Sequence, residues 1–229
     1  NQRTEVGADA KPPLGECCRS APPILEFDPD GNLVKAWGGP GEGYTWPGSN
    51  HGITIDDKDN VWIGGNGDHD SHIIKFSHDG KFLAQYGVPG REPNSNDSSH
   101  FGRVAKISFD TKAGEAFIAD GYGNKRVAVI DMATGKLKRY WGAYGAKPDD
   151  TRLPPYDPSA PPDKQFRNPV HCAEPALDGL VYVCDRPNDR IQVFRKDGSF
   201  VKEQRIAQAT RGDGSVWDIA FSRDPQQKY

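Results

Sequence analysis

The stretch that decides the fold is residues 103–142, RVAKISFDTKAGEAFIADGYGNKRVAVIDMATGKLKRYWG. It reads as four short segments in which apolar and polar residues alternate, separated by tight-turn sequences such as Thr-Gly. Such alternation between turn residues is typical of antiparallel β-strands. The same pattern recurs at residues 51–87 and 171–205. A repeated unit of four short strands is typical of one β-propeller blade, so we predict an all-β propeller.

Half units flank these three complete units. Residues 23–38, PILEFDPDGNLVKAWG, match the second half of the repeat, and residues 216–229 match its first half. We therefore predict an N-terminal arm at 1–22 and an incomplete propeller at 23–229, with about four blades' worth of sequence. Two interpretations follow from the half units. The sequence is a fragment of a longer chain, most simply of six blades, or two copies complete each other by self-association through their open blade edges.

Composition and charge exclude several classes of protein. The chain has 229 residues with 35% hydrophobic and 27% charged side chains, and its formal net charge is −3. Lysine and arginine never form a run, so we expect no nucleic-acid partner. No segment approaches the roughly 18 apolar residues of a membrane span.

The positions of two cysteines indicate the cellular compartment of the protein. Cys172 and Cys184 lie at the two ends of one predicted hairpin, which favours a disulfide and therefore a secreted or periplasmic protein. The N-terminal sequence is similar to that of a mature chain after processing. The alternative is that these cysteines are ordinary reduced thiols.

Two histidines suggest a metal site. His51 and His171 each stand at the start of the innermost predicted strand of a blade, and the equivalent positions in the next blades are Ala105 and Trp217. Alternate blades of a six-bladed ring lie about 120° apart, so three such histidines would converge on the axis. Three imidazoles with an open fourth position are a typical catalytic zinc site. The third histidine would lie beyond residue 229, and the alternative is a pair of channel-lining residues bonded to backbone.

The remaining histidines carry no such pattern. His69, His72 and His78 lie in or beside a polar turn, and His100 lies in a long loop. We predict that these four are solvated loop residues.

Two resemblances refine the prediction. The second half of the repeat, Phe-x-x-Asp-Gly-x-x-x-x-x-x-Gly, resembles blades of the NHL family. Residues 44–205 resemble the peptidyl-α-hydroxyglycine α-amidating lyase family, a six-bladed catalytic propeller. The segments that carry this second resemblance are SNHGITIDDKDNVWIGG, AFIADGYGNKRVAVI and NPVHCAEPALDGLVYVCDRPNDRIQVF.

The amidating-lyase resemblance implies metal ligands. It places zinc histidines at His51 and His171 and a calcium-binding backbone carbonyl at Ile53. It also implies a small-molecule or peptide substrate, namely a carbinolamide such as a peptidyl-α-hydroxyglycine, cleaved to an amide and glyoxylate.

The same resemblance implies catalytic residues. They are Tyr122 as the proton acceptor, Arg186 as the carboxylate-binding residue, and Arg19 as the counterpart of a further arginine. The alternatives are that Tyr122 caps a blade edge and that Arg186 is an ion-pair partner of Asp185 or Asp120.

Two other functions compete with this one. A non-enzymatic secreted NHL propeller would bind a protein or glycan partner across its loop-bearing face, and a propeller fold hosts both kinds of activity. A calcium-dependent hydrolase or lactonase would need Glu, Asn and Asp at the starts of the inner strands, and no such set recurs there.

Overall fold

The chain folds as a series of antiparallel sheets. A computed structural model describes residues 21–222 and 224–229. In this part of the chain the strands are β1 Ile24–Phe27, β2 Leu33–Trp37, β3 Asn50–Ile55, β4 Val61–Gly65, β5 His72–Phe76, β6 Phe82–Gly87, β7 Val104–Asp110, β8 Glu115–Asp120, β9 Arg126–Asp131, β10 Leu137–Trp141, β11 Val170–Pro175, β12 Leu180–Asp185, β13 Arg190–Arg195 and β14 Phe200–Arg205. Two short 3₁₀ turns, Ala143–Gly145 and Arg186–Asn188, join them.

Each sheet is an antiparallel meander in chain order. β3–β6 form blade 1, β7–β10 form blade 2 and β11–β14 form blade 3, while β1 and β2 pair as a two-stranded half blade. The prediction of an all-β, propeller-type fold is confirmed. Since each strand pairs with its neighbours in sequence, short turns suffice to set the register of every blade.

The first strand of each blade lines the propeller axis. β7 packs against β3 on one side and against β11 on the other. Residues at the starts of these three strands therefore lie close together, at the end of the axis where the turns after β8 and β12 also lie.

The hydrophobic core lies between the blades. All six residues of β8, EAFIAD, are buried because this strand is covered on both faces, by blade 1 and by blade 3. A strand covered on both faces reads as a nearly continuous apolar run, which is what the sequence shows at 115–120. A separate cluster joins the half blade to blade 1.

The repeated glycines and aromatics of the motif pack against each other across blade boundaries. Gly198 sits in the Asp-Gly turn of blade 3 with φ +94°, a conformation that glycine adopts without steric cost. A Cβ built on it would lie 2.9 Å from the ring of Trp141, which ends the last strand of blade 2. Turn glycines of the preceding blades meet aromatic residues in the same way, in the pairs Gly80–Trp37 and Gly135–Tyr86. The repeat spacing therefore reflects blade-to-blade packing.

The predicted disulfide is present. Cys172 on β11 lies directly opposite Cys184 on β12, their Cα atoms are 4.8 Å apart, and the two sulfurs are bonded. Both side chains are fully buried beside Val216. The bridge fastens the inner strand of blade 3 one residue after His171.

The predicted half blade at 216–229 differs from the structure. Residues 216–222 and 224–229 contain no strand. A strand is stabilised by a ladder of hydrogen bonds to a neighbouring strand, and this segment has contacts to β11 mainly through side chains and single backbone groups. The repeat pattern alone does not supply that ladder.

Two of the four loop histidines were predicted wrongly. His72 opens β5 and is buried, with Nε2 2.7 Å from the Thr45 carbonyl oxygen. His100 is also buried, with Nε2 2.9 Å from the Glu92 carbonyl oxygen. A ring nitrogen bonded to a backbone carbonyl can be removed from water at little cost, so polar surroundings in the sequence did not mean exposure. His69 and His78 are exposed, as predicted.

The half blade leaves apolar surface uncovered. Leu25 on β1 and Ile53 and Ile55 on β3 are exposed. They line a cavity of about 320 Å³ together with Trp37 and Val61. Self-association through such an edge stays a prediction. Within the described residues no helix has the length and apolarity needed to cross a membrane.

Glu115 provides a test of the packing by pH. Its carboxylate accepts hydrogen bonds from Arg139, at 2.8 Å from Nη1, and this lowers the pKa of Glu115 to about 2. A carboxyl whose pKa is lower in the folded state stabilises the fold above its unfolded pKa of 4.5 and loses that contribution between pH 4.5 and 2. Glu115→Gln should therefore destabilise the protein most at pH 7 and by a clearly smaller amount at pH 3, where part of the contribution is already lost, as measured by urea unfolding. Glu42→Gln, at an exposed turn, is the control, and an equal deficit at both pH values would contradict the account.

Candidate active site at the propeller axis

His51 and His171 face each other across the axis. Each is the second residue of an inner strand, β3 or β11, and their ring centroids are 5.4 Å apart. His51 Nδ1 lies 2.7 Å from the Ala105 carbonyl oxygen, and His171 Nδ1 lies 2.5 Å from the Trp217 carbonyl oxygen. A carbonyl can only accept, so each Nδ1 carries the proton and each Nε2 keeps a free lone pair.

Tyr122 brings the two lone pairs to one point. Its Oη lies 3.1 Å from His51 Nε2 and 3.2 Å from His171 Nε2. The phenol has one proton and can donate it to only one of them. The other Nε2 therefore faces the same oxygen with its acceptor capacity unused.

Gly121 explains why the turn after β8 can deliver Tyr122 to the axis. A Cβ on Gly121 would lie 2.0 Å from the Val170 carbonyl oxygen, so only glycine lets this turn pack against β11. The Tyr122 backbone N–H then donates to the Arg103 carbonyl at 3.0 Å. The interpretation of Tyr122 as a cap on the blade edge does not account for a hydroxyl placed between two imidazoles.

Arg186 completes the group. It follows β12, and its Nη1 lies 3.4 Å from Tyr122 Oη. Its guanidinium stacks on the indole of Trp217, 4.1 Å from the ring centroid. Its carboxylate neighbour is Asp213, with 3.6 Å between Nη2 and Oδ1, and that aspartate is 80% exposed. The guanidinium of Arg186 therefore lies beside Tyr122 and is only weakly paired with a protein carboxylate, which leaves it able to bind an anionic ligand.

Buried triads hold the turns that carry Tyr122 and Arg186. Asp120 accepts from Asn124 Nδ2 at 2.8 Å and from Arg126 Nε at 2.7 Å, and all three side chains are buried. Blade 3 repeats the arrangement at the same two distances with Asp185, Asn188 and Arg190. In blade 1 the corresponding positions hold Gly65 and His72 in place of the aspartate and the arginine.

The triads correct one alternative from the sequence. Asp120 and Asp185 were considered as ion-pair partners of Arg186, but Arg126 and Arg190 occupy them. The Asp…Asn-x-Arg spacing in the sequence is the signal of these structural triads.

Electrostatics keep both histidines neutral. Burial lowers the pKa of His51 and of His171, and the nearby positive charge of Arg186 lowers both further. Neutral imidazoles near pH 7 are able to bind a metal ion or to accept a proton.

Two further predicted residues stay untested. Arg19 lies outside the residues that the structure describes. Ile53 lies on β3 two residues after His51, and its role as a calcium ligand stays a prediction. Within residues 21–222 and 224–229, no three or more His, Cys, Asp or Glu side chains are grouped so that they could hold a metal.

Sequence reasoning missed the contribution of Trp217. Its carbonyl fixes the tautomer of His171 while its ring supports Arg186. The alignment of Trp217 with the starts of the inner strands was the available signal, because the equivalent residue Ala105 bonds His51 in the same way.

The chain is similar in sequence to several known proteins. No protein-family model matches the sequence. The chain is 32% identical to the peptidylglycine α-amidating monooxygenase of Rattus norvegicus over 75% of its own length, which is 16% of that protein. It is 27% identical to the NHL repeat-containing protein 3 of Homo sapiens over 80% of this chain and 48% of that one. It is also 27% identical to a probable peptidyl-α-hydroxyglycine α-amidating lyase of Caenorhabditis elegans, over 63% of this chain and 36% of that one.

A solved structure supports the fold. A gluconolactonase of Xanthomonas campestris superposes with a TM-score of 0.51 at 12% identity, over 80% of this chain and 55% of that chain. The chain thus spans less than two thirds of the length of each of these proteins. It is an NHL-type β-propeller chain whose sequence resembles the peptidyl-α-hydroxyglycine α-amidating lyases.

Proposed function

We propose that the axial group acts as a lyase on a carbinolamide such as a peptidyl-α-hydroxyglycine, releasing an amide and glyoxylate. The observation that carries this proposal is the position of Tyr122 Oη, within 3.2 Å of two neutral histidine nitrogens and 3.4 Å from an arginine. The similarity to a probable amidating lyase supports it.

Arg186 would bind the substrate carboxylate. A guanidinium forms two parallel hydrogen bonds to a carboxylate, and this fork fixes the orientation of the ligand. Because Arg186 Nη1 is close to Tyr122 Oη, a carboxylate held there would bring the adjacent carbinol carbon to the tyrosine.

Tyr122 would move the proton. Cleavage removes the hydroxyl proton, forms the C=O bond of glyoxylate, breaks the C–N bond and protonates the departing amide nitrogen. A neutral Tyr122 can accept the hydroxyl proton at Oη while donating its own proton to the nitrogen, so its protonation state is the same before and after. General acid–base catalysis of this kind contributes about 10²–10⁴-fold.

His51 and His171 would hold a zinc ion. The donor set fits, because both Nε2 atoms carry lone pairs that point to one place while both Nδ1 atoms are fixed by backbone carbonyls, as in the outer shell of known zinc sites. When bound, zinc would supply Lewis acidity to the substrate hydroxyl. Since catalytic zinc usually takes three protein ligands, we expect two histidines to bind it more weakly than such sites do.

The direct test is glyoxylate release from α-hydroxyhippurate by the zinc-supplemented chain. We expect release by the wild type and loss of most of it in Arg186→Met. Arg195→Met, at the far end of β13, is the matched control and should keep full activity. No release above the uncatalysed rate would overturn the proposal and favour a non-enzymatic NHL propeller that binds a protein or glycan.

Trp217 offers a further prediction. Its stacking on Arg186 is a cation–π contact worth about 0.5–2 kcal/mol. Trp217→Leu should raise KM for α-hydroxyhippurate roughly 3- to 30-fold with a smaller effect on kcat, because the guanidinium of Arg186 loses the ring on which it stacks. Trp217→Phe should restore most of the affinity. Equal KM values in the Leu and Phe variants would contradict a role for the aromatic face.

We further propose that the protein works in a secreted or periplasmic setting. The buried Cys172–Cys184 bridge supports this, because structural disulfides persist in oxidising compartments.

A further inference from the structure

A cavity of about 320 Å³ lies between the turns that carry Tyr122 and Arg186. Its wall contains Lys125, from the turn after β8, and Pro187, from the turn after β12. The loop before β11 supplies the rest of the wall, namely Asp150, Arg152, Leu153, Arg167 and Asn168. The residues of the axial group do not line this cavity, so a ligand there would occupy a site separate from the candidate active site.

Lys125 is buried and forms no ion pair with a carboxylate of the described residues. It is only 7% exposed. Its Nζ donates to the Thr151 carbonyl oxygen at 2.6 Å and to Gln165 Oε1 at 3.1 Å. Both acceptors are neutral, and an ammonium has three N–H donors, so the third donor is unused within the described part of the chain. Burial lowers the pKa of Lys125 more than the nearby carboxylates raise it.

Three other partly buried lysines each pair with a carboxylate. A carboxylate oxygen lies within 3.1 Å of Nζ in the pairs Lys75–Asp56, Lys106–Asp218 and Lys196–Asp110. Removing an ammonium from water is costly unless an anion accompanies it. Lys125 is more deeply buried than these lysines and yet lacks the anion with which each of them is paired.

Arg152 adds a second unpaired cation to the cavity wall. Its exposed guanidinium forms no hydrogen bond or ion pair with any residue that the structure describes. Arg167 is different, because its Nη2 lies 2.7 Å from Asp163 Oδ2. Asp150 contributes a carboxylate to the same wall, and its two oxygens accept from the hydroxyl and the N–H of Ser95. Two cations of the wall therefore have donors to spare, whereas its carboxylate already has donors.

We propose that this cavity binds a small oxyanion, a phosphate or a carboxylate, between Lys125 and Arg152. The anion would accept the unused N–H of the ammonium and two parallel N–H bonds from the guanidinium. These charge-assisted bonds would compensate the buried charge of Lys125. Since the wall includes both turns, a bound oxyanion would also connect the turn of Tyr122 to that of Arg186. The proposal does not depend on the lyase reaction.

Calorimetric titration of the metal-free chain with inorganic phosphate and, separately, with acetate tests this proposal, at a fixed ionic strength set by chloride. We expect at least one of the two anions to bind, and the tighter of them identifies the class of ligand. Lys125→Met and Arg152→Met should each weaken that binding about 10-fold, the effect of losing a charge-assisted hydrogen-bonded contact. Lys147→Met, which alters an exposed lysine of the same loop, should leave it unchanged.

The same titrations in Arg186→Met separate this site from the axial group, where a carboxylate is also proposed to bind. Anion binding at the cavity should persist in Arg186→Met, whatever the outcome of the glyoxylate assay. Because Arg152 is exposed, Arg152→Met should fold and decides the matter even if Lys125→Met does not. Absence of binding by both anions, loss of all anion binding in Arg186→Met, or unchanged binding in Arg152→Met would each overturn the proposal.

Discussion

Replacing Tyr122 by phenylalanine is expected to lower kcat for glyoxylate release from α-hydroxyhippurate by about 10²–10⁴-fold, the usual contribution of a positioned acid–base group. The ring is kept, so the contacts of the turn after β8 remain, and only the oxygen between His51 and His171 is lost. KM should change little, because the proposed contact of Arg186 with the substrate carboxylate is kept. The measurement is steady-state kinetics on the wild type and the variant.

Tyr44→Phe is the matched control for this experiment. Tyr44 also uses its hydroxyl in a hydrogen bond, to the Gly39 carbonyl at 3.0 Å, but it lies beside the half blade and away from the axis. The activity of the Tyr44→Phe variant should equal that of the wild type. If Tyr122→Phe retained kcat within a factor of a few while remaining folded, the acid–base role of Tyr122 would be wrong.

Replacing Asp120 by alanine is expected to lower the free energy of unfolding by about 3–5 kcal/mol, the effect of removing one partner of a buried ion pair. Asp120 is fully buried and accepts from the Gly102 N–H at 2.6 Å, from Asn124 and from Arg126. Without it the Arg126 guanidinium keeps its buried position but loses its carboxylate. Urea unfolding measures the effect.

Asp157→Ala is the control for stability. Asp157 is exposed in the long loop before β11 and accepts from Ser159 within its own turn. Its loss should cost about 1 kcal/mol or less. Equal unfolding free energies for the Asp120 and Asp157 variants would contradict the structural role of the triad.

Local patterns predicted most of the fold. The alternation of apolar residues, the Asp-Gly and Thr-Gly turns and the aromatic residues before glycine all describe contacts within a blade or with the next one. Each pattern is short in sequence and recurs from blade to blade, so it can be recognised without knowing the three-dimensional structure. The buried triad was visible as a spacing but was not recognised as structural.

Long-range packing set the features that were missed. His72 is buried because it opens β5 at the position that Arg126 and Arg190 fill in the next blades, which a polar sequence neighbourhood does not reveal. Residues 216–222 and 224–229 match a half repeat but form no strand, since a sequence pattern does not supply a ladder partner.

The candidate site also combines features that the sequence predicted with features that depend on long-range packing. The approach of His51 to His171 could be predicted from their equivalent positions in alternate blades. The position of Tyr122 came only from the resemblance, since it depends on the contact of Gly121 with Val170 across a blade boundary. The stacking of Arg186 on Trp217 joins residues far apart in sequence, and no local pattern marks it.

We propose that His51 and His171 form a metal-binding acid–base site with Tyr122, and calorimetric titration of the metal-free chain with zinc tests this proposal. We expect one zinc per chain in the wild type and in His69→Ala, which alters an exposed loop histidine. We expect loss of that zinc in both His51→Ala and His171→Ala. A folded wild-type chain that binds no zinc, or a stoichiometry unchanged in both axial variants, would contradict it.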